Sequence, residues 1–321
     1  IDKKGGFIEG MHILPDPDIR IKALGEEKRK KRLGADRFKM LAGEHKPFAS
    51  AHIPTVFEAI RTGKPYPIKA LMLCGNNGLS GFADSKYTLE TLKKLDFICS
   101  QELFMTPTTQ LADVVLPVAC WLEVDAVYSG PTFADWAILS QQHVVKPLYE
   151  RKQDEVIFIE LAKRLGKDYG AESLDEILDS QLDFLRQNYP QYRNFTLKDL
   201  RKTGHITVDI KYEQYKERAR KGQKAFNTPT GKVELYSTVM ERFGYDPLPY
   251  YEEPPESPVS SPELHRKYPL ILNTGERSRY FFLSENRQMP SLRKMNPYPL
   301  VEINRETAKE YGIEDGDWVY I

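Results

Sequence analysis

The sequence predicts an α/β fold, a Rossmann-like parallel sheet flanked by helices. An apolar run at 68–74 (IKALMLC) stops at Gly75-Asn76-Asn77-Gly78. A helical pattern follows over 84–95, with apolar positions at Leu89, Leu92 and Leu95. Strand signals return at Phe97-Ile98-Cys99 and, after a turn at 101–106, at 113–116. Parallel strands need a long crossover, normally a helix, and such crossovers are right-handed. Open sheets of this kind take ligands beyond the carboxyl ends of their strands. Here those ends are 75–78, 101–106 and the segment after Pro117.

The remaining elements follow in chain order. Residues 1–65 form a loosely patterned N-terminal segment, irregular or helical. Its charge run EEKRKKR at 26–32 reads as a solvated helix end, since no aromatics are interleaved as nucleic-acid binding would require. TVFEAIRT at 55–62 reads as a short amphipathic helix, stopped by Gly63 and Pro65. The α/β domain is expected over 66–225. Within it a longer helix over 154–165 places Val156, Ile157, Ile159, Leu161, Ala162 and Leu165 on one side, with Gly166 as its stop. Residues 172–222 read as helical and polar, over 173–189 and 196–203, then as a basic stretch to Lys221.

A linker is expected over 226–267, because 247–269 carries prolines at 247, 249, 254, 255, 258, 262 and 269. A second domain follows at 268–321. Strands are expected at 268–273, 300–303 and 318–321, with a helix over 305–311 capped by Asn304 and closed by Gly312. A tight turn at Asp315-Gly316-Asp317 precedes the last strand.

Composition excludes more than it selects. Lysine plus arginine equals aspartate plus glutamate at 46 each, so no global field favours nucleic acid or an anionic membrane. No apolar run is long enough to span a bilayer. Cys74, Cys99 and Cys120 are widely spaced within apolar segments, which argues for buried small hydrophobes and against a disulfide framework or a zinc ribbon. The start Ile-Asp-Lys-Lys, without an initiator Met, suggests a processed product or part of a longer polypeptide.

Candidate chemistry sits on loops. In the Gly75–Gly78 loop, glycine permits close approach and the Asn amides can donate to phosphate or a heterocycle; a simple turn explains the residues equally well. The loop is not the G-x-G-x-x-G fingerprint, which disfavours a nicotinamide dehydrogenase. Glu102, at the end of the second strand, suits ribose hydroxyls or a guanine edge, or is a solvated loop glutamate. Glu123 and Asp125 read as ordinary surface carboxylates rather than an acid–base pair. The loop Thr274-Gly275-Glu276-Arg277-Ser278-Arg279, with Arg287 and Arg293, suits phosphate or pyrophosphate through bidentate guanidinium bonds; a surface basic loop is the alternative. His45 and His52 have no nearby Cys to make a metal site.

The stretch TPTTQLADVVLPVACWLE at 106–123 resembles the molybdopterin oxidoreductases of the dimethyl sulfoxide reductase type. The resemblance continues, in the family's order, through PYPIKAL at 65–71, residues 75–77 and 147–166, FNTPTGKVELYS at 226–237, and 268 to the end. It implies that the second domain is the start of a truncated C-terminal β-barrel that binds a molybdopterin dinucleotide. It further implies a bis(molybdopterin guanine dinucleotide) cofactor with Mo or W. By position, Asn77, Glu102 and Asp154 correspond to cofactor-binding residues of the family. Asp154 closes a P-x-x-E-x-x-x-D stretch that also holds Glu150. Thr274, Gly275, Glu276 and Arg277 match the barrel's first loop, and Ser284, Glu285 and Arg287 its continuation. Glu102 stands where relatives usually carry Asp, and Leu283 where many carry His, so no proton role is expected there.

The family's metal ligand and any 4Fe–4S cluster motif belong to an N-terminal portion without a counterpart here. The isolated chain is therefore expected to be inactive. Its implied partners are the remainder of the catalytic subunit, an iron–sulfur electron-transfer subunit and a membrane anchor subunit, with no nucleic acid. The compartment stays open between cytoplasm and export across a bacterial inner membrane. A non-catalytic nucleotide-binding or scaffold module of the same fold is the competing reading; a gene without the upstream metal ligand would favour it.

Overall fold

The computed structural model describes residues 25–43, 50–130, 134–168, 170–207, 212–226, 228–275, 277–281 and 286–320. The chain divides into two compact units, Ile1–Pro247 and Leu248–Ile321.

In the first unit, β1 (Ala70–Cys74), β2 (Phe97–Glu102) and β3 (Val114–Pro117) form a parallel sheet in the order β1-β2-β3. The register sets Cys74 beside Gln101 and Glu102 beside Pro117, so the strands end level with one another. Central β2 is the buried strand, from Ile98 to Gln101. The crossover from β1 uses the helix Ser85–Leu92, whose Asp84 cap accepts a bond from Tyr87 N at 2.9 Å. The Asp113 carboxylate accepts from Ile98 N at 2.7 Å and so pins the entry of β3 against β2. The helix Ile53–Thr62 buries Phe57, Ala59 and Ile60 and ends at Gly63, which takes the left-handed conformation at φ 72°. Phe57 meets Phe82 edge-on, and the Arg61 guanidinium lies over Tyr87.

A second sheet was not expected from the sequence. It consists of antiparallel β4 (Ala126–Gly130), β5 (Ala134–Gln141) and β6 (His205–Thr207). Val127, Ile138 and Ile206 from this sheet form a core with Leu178, Leu182, Leu185, Leu197 and Leu200 of the helices that follow. The helix expected over 173–189 is broken into Leu174–Ser180 and Asp183–Asn188, with Leu182 fully buried at the break. The helix Leu197–Thr203 starts in a reciprocal cap: Thr196 Oγ1 accepts from Asp199 N, and the Asp199 carboxylate accepts from Thr196 N. The helix Asp154–Arg164 buries Ile157 and Ile159, whereas Leu161 and Leu165 of its expected apolar side are exposed.

Two further expectations need correction. Cys99 is buried, but Cys74, the last residue of β1, is exposed, and Cys120, which caps the short turn Trp121–Glu123 beyond β3, is half-buried. Arg32, from the charge run, is not simply solvated: its guanidinium donates to the carbonyls of Arg29, Gly43 and Ser50.

The second unit holds the helices Pro262–Lys267, Pro290–Met295 and Arg305–Glu310. Asn304 caps the last of these as expected, its Oδ1 accepting from Glu306 N at 2.9 Å, and Gly312 closes it at φ 65°. The strands expected at 268–273, 300–303 and 318–321 are not formed among the described residues; Ile321 lies outside them. Strand patterning describes one member of a pair, and these segments have no ladder partner among the described residues.

Candidate functional site

The parallel sheet presents three chain segments at its carboxyl end. After β1, Gly75 turns at φ 55°, and its N–H donates to Gln101 O at 2.9 Å. Asn77 is held by the Thr-rich turn beyond β2: the Thr108 hydroxyl donates to Asn77 Oδ1 at 2.9 Å and accepts from Leu79 N at 3.0 Å. Thr109 Oγ1 lies 3.1 Å from Ser100 Oγ and 2.9 Å from Thr106 Oγ1. The threonines of 106–109 are thus internal scaffold, and they fix where Asn77 stands.

After β2, Glu102 Oε1 accepts from Leu103 N at 2.8 Å. Its neighbour Gln101 is 0 % exposed. The Gln101 Oε1 accepts from the Cys74 thiol at 2.6 Å, while its Nε2 is buried without a hydrogen-bond partner. A buried amide N–H with no acceptor among the described residues is costly.

After β3, Glu123 reaches back beneath the chain. It accepts from Cys120 N at 2.9 Å, Leu148 N at 3.1 Å and Arg151 Nη1 at 3.1 Å. The Cys120 N–H is the strongest influence holding its carboxyl below the usual value; burial opposes it, and Leu148 and Arg151 add to the lowering. Glu123 thereby ties 148–151 onto the sheet end, helped by Lys152 N donating to Pro117 O at 3.2 Å. Between these segments lies a cleft of about 410 Å³, lined by Glu102, Phe104, Pro117, Tyr149, Glu150 and Arg151 among others.

Asp154 opens its helix beside this region. Partial desolvation, then Glu155 and Glu102, push its carboxyl above the usual value. The Cys74 thiol is raised by desolvation and then by Asp154. Glu102, Asp154 and Cys74 therefore share one acidic neighbourhood, with Asn77 fixed on the adjoining loop. Asp125 takes no part. His143 donates to it from its backbone N at 2.8 Å and approaches through the ring at 2.7 Å, and Arg201 pairs with it at 2.8 Å. Burial raises the Asp125 carboxyl, yet His143 and Arg201 together bring it below its usual value. Both Glu123 and Asp125 are structural anchors rather than the surface carboxylates expected from the sequence.

In the second unit, Thr274 and Gly275 are exposed, with Gly275 at φ 141°. Arg277 is exposed, and the Arg287 guanidinium lies over the Phe281 ring at 5.8 Å. Glu276, Leu283, Ser284, Glu285 and His45 lie outside the described residues. Sequence reasoning passed over Gln101, Phe104, Tyr149 and Arg151. Only the adjacency of Tyr149 to Glu150 in the P-x-x-E-x-x-x-D stretch could have pointed to them.

Family models match two parts of the chain, Molybdopterin oxidoreductase at 28–164 and Molydopterin dinucleotide binding domain at 270–321. The chain is 33% identical to acetylene hydratase of Syntrophotalea acetylenica over 99% of its own length and 46% of that protein. It is 30% identical to dopamine dehydroxylase of Eggerthella lenta, over 92% of this chain and 35% of that one. Trimethylamine-N-oxide reductase of Haemophilus influenzae is 29% identical over 80% of this chain and 33% of its own. Among solved structures, acetylene hydratase from Pelobacter acetylenicus superposes with a TM-score of 0.76 at 32% identity, covering 97% of this chain and 44% of that one. The chain thus spans less than half the length of these relatives.

Proposed function

We propose, for a chain that belongs to the molybdopterin oxidoreductase family, that the end of its parallel sheet holds the nucleotide end of a molybdopterin guanine dinucleotide. The cleft at the carboxyl ends of β2 and β3 carries this reading. Its size falls in the range of small-molecule sites. Glu102 and Glu150 offer acceptors to the N–H edge of a guanine or to ribose hydroxyls. This pair of acceptors therefore fits the N–H and O–H donors of the group.

Bound in the complete subunit, the Mo or W centre would supply oxygen-atom, hydroxyl or electron transfer, as cofactors carry the hard chemistry. This chain's residues bind and orient. Asn77, Glu102 and Asp154 are the candidates in the first unit. The second unit carries separate candidates in Thr274, Gly275, Glu276, Arg277, Ser284, Glu285 and Arg287, where guanidiniums suit phosphate oxygens. We assign 66–225 to a molybdopterin-binding domain, 226–267 to the linker and 268–321 to the start of the dinucleotide-binding barrel. The metal ligand, the remainder of the subunit and any electron-transfer or anchor subunits lie outside this chain on this reading, so the chain alone turns over no substrate.

Calorimetric titration of the chain with GDP tests the assignment. Weak binding that drops on Asn77→Ala and on Arg277→Ala is expected. Tight binding indifferent to both substitutions would show that the site is elsewhere.

A further inference from the structure

The helix Asp154–Arg164 starts at a residue that does not cap it. Helix starts are capped by Ser, Thr, Asp or Asn, whose side chains bond the first turn. Gln153 holds that position here, and its side chain makes no such bond. Its amide reaches to another segment instead. The Gln153 Oε1 accepts from Asp125 N at 3.1 Å, and its Nε2 donates to Asp125 O at 2.7 Å. An amide that uses both ends on the backbone of one residue is fixed in place and orientation together. The preceding residue is tied as well: Lys152 N donates to Pro117 O at 3.2 Å, and Ala119 N donates to Lys152 O at 2.9 Å.

Asp125 is held from its far side. His143 and Arg201 converge on its carboxylate, and the Arg201 guanidinium also grips Asp175 through two bonds, of 2.9 and 2.7 Å. Such a bidentate pair fixes geometry as well as charge. Arg201 lies on the helix Leu197–Thr203 and Asp175 in the first turn of Leu174–Ser180. A polar relay therefore runs from the helices packed on the antiparallel sheet, through Arg201, Asp125 and Gln153, to the residue before Asp154.

We infer that Gln153 is a positioning residue: its amide, clamped on the Asp125 backbone, sets where the Asp154 carboxylate stands at the carboxyl end of the parallel sheet. What Asp154 then binds rests on the nucleotide reading above; where it stands does not.

Cys74 reads the position of Asp154. Its thiol is exposed, and desolvation, then Asp154 and Cys99, make it harder to ionise. Moving the carboxylate away lets thiolate form at lower pH. The experiment follows the pH dependence of iodoacetamide alkylation at Cys74 in the 321-residue chain, with peptide mapping to separate it from Cys99 and Cys120. Asp154→Asn should shift the profile to lower pH. Gln153→Leu removes both amide bonds and keeps Asp154, and should shift it the same way. The double substitution should go no further than Asp154→Asn alone, as for two residues acting through one group. Leu185→Ala opens a cavity in the core and should lower the melting temperature without moving the profile. A profile that Gln153→Leu leaves in place overturns the positioning role. So does an equal shift in Leu185→Ala, which would make the effect a general loosening, or no shift in Asp154→Asn. In the GDP titration, Gln153→Leu should weaken binding as Asp154→Asn does. A parent chain that binds no GDP would sink the nucleotide reading alone, because the thiol profile is measured without nucleotide.

Discussion

Glu123 keeps its charge inside the protein because three donors converge on it. Its side chain is only 2% exposed, and the Cys120 and Leu148 N–H groups and the Arg151 guanidinium all point to its carboxylate. Removing that charge would strand Arg151 and unfasten 148–151 from the sheet end. Glu123→Gln is expected to cost about 3 kcal/mol, the scale for breaking a buried pair from one side. A urea midpoint unchanged by the substitution would rule this out. The pH dependence has a definite sign. The folded carboxyl sits below its ordinary value of 4.5, so its contribution is complete above that pH and is lost as pH falls through the lower folded value. The parent chain should lose stability with acid over that window, and Glu123→Gln should flatten the slope there.

At the scale of elements, Thr108 joins two loops that different strands send to the same end of the sheet. Its hydroxyl gives a proton to Asn77 Oδ1 and receives one from Leu79 N, so a single oxygen sets the Gly75–Gly78 loop against the turn beyond β2. Thr108→Val keeps the shape and removes both bonds, leaving Asn77 and Leu79 N unsatisfied. A cost of about 1 kcal/mol follows, the net worth of hydrogen bonds lost by half-buried groups. The Leu79 amide should then exchange with solvent faster than in the parent while the Ile98 amide does not; equal exchange at Leu79 would contradict the coupling. The same elements show what a sequence can disclose. β1, β3 and the first half of β2 were legible as short apolar runs bounded by Gly, Pro or a turn, and because a parallel sheet needs the crossover helix seen between β1 and β2; β2 runs on through Ser100, Gln101 and Glu102, where a turn was expected. β4, β5 and β6 were not. Their side-by-side pairing joins Leu139 to Tyr128 and to His205, and β6 is too short for a pattern. Glu102 could be named as a candidate because strand ends are where such sheets take ligands. Tyr149 could not: it lies at φ 55° in a turn whose neighbours Leu148 and Arg151 are bonded to Glu123, and no local pattern reveals that tie.

At the scale of the molecule, burial is uneven between the two units. The buried hydrophobic residues run from Leu33 to Ile206, all within the first unit. In the second, no described residue is buried, and Ile271, Leu300 and Trp318 are 76%, 82% and 77% exposed. Yet 270–321 matches the Molydopterin dinucleotide binding domain, so its apolar residues belong to a pattern suited to a core. Hydrophobic stabilisation scales with the area taken from water, and a segment that buries little has little to set against its chain entropy. Local opening free energy should therefore be near zero across the second unit and highest in β2, where Ile98 to Gln101 are enclosed. In hydrogen–deuterium exchange on the chain, amides of 98–101 should remain protected long after those of 268–273, 300–303 and 318–320 have exchanged. The Thr307 amide, held by Asn304, should fall between the two groups. Protection at Ile271 or Val301 equal to that at Ser100 would mean that these segments are already paired in strands, and that the second unit folds by itself.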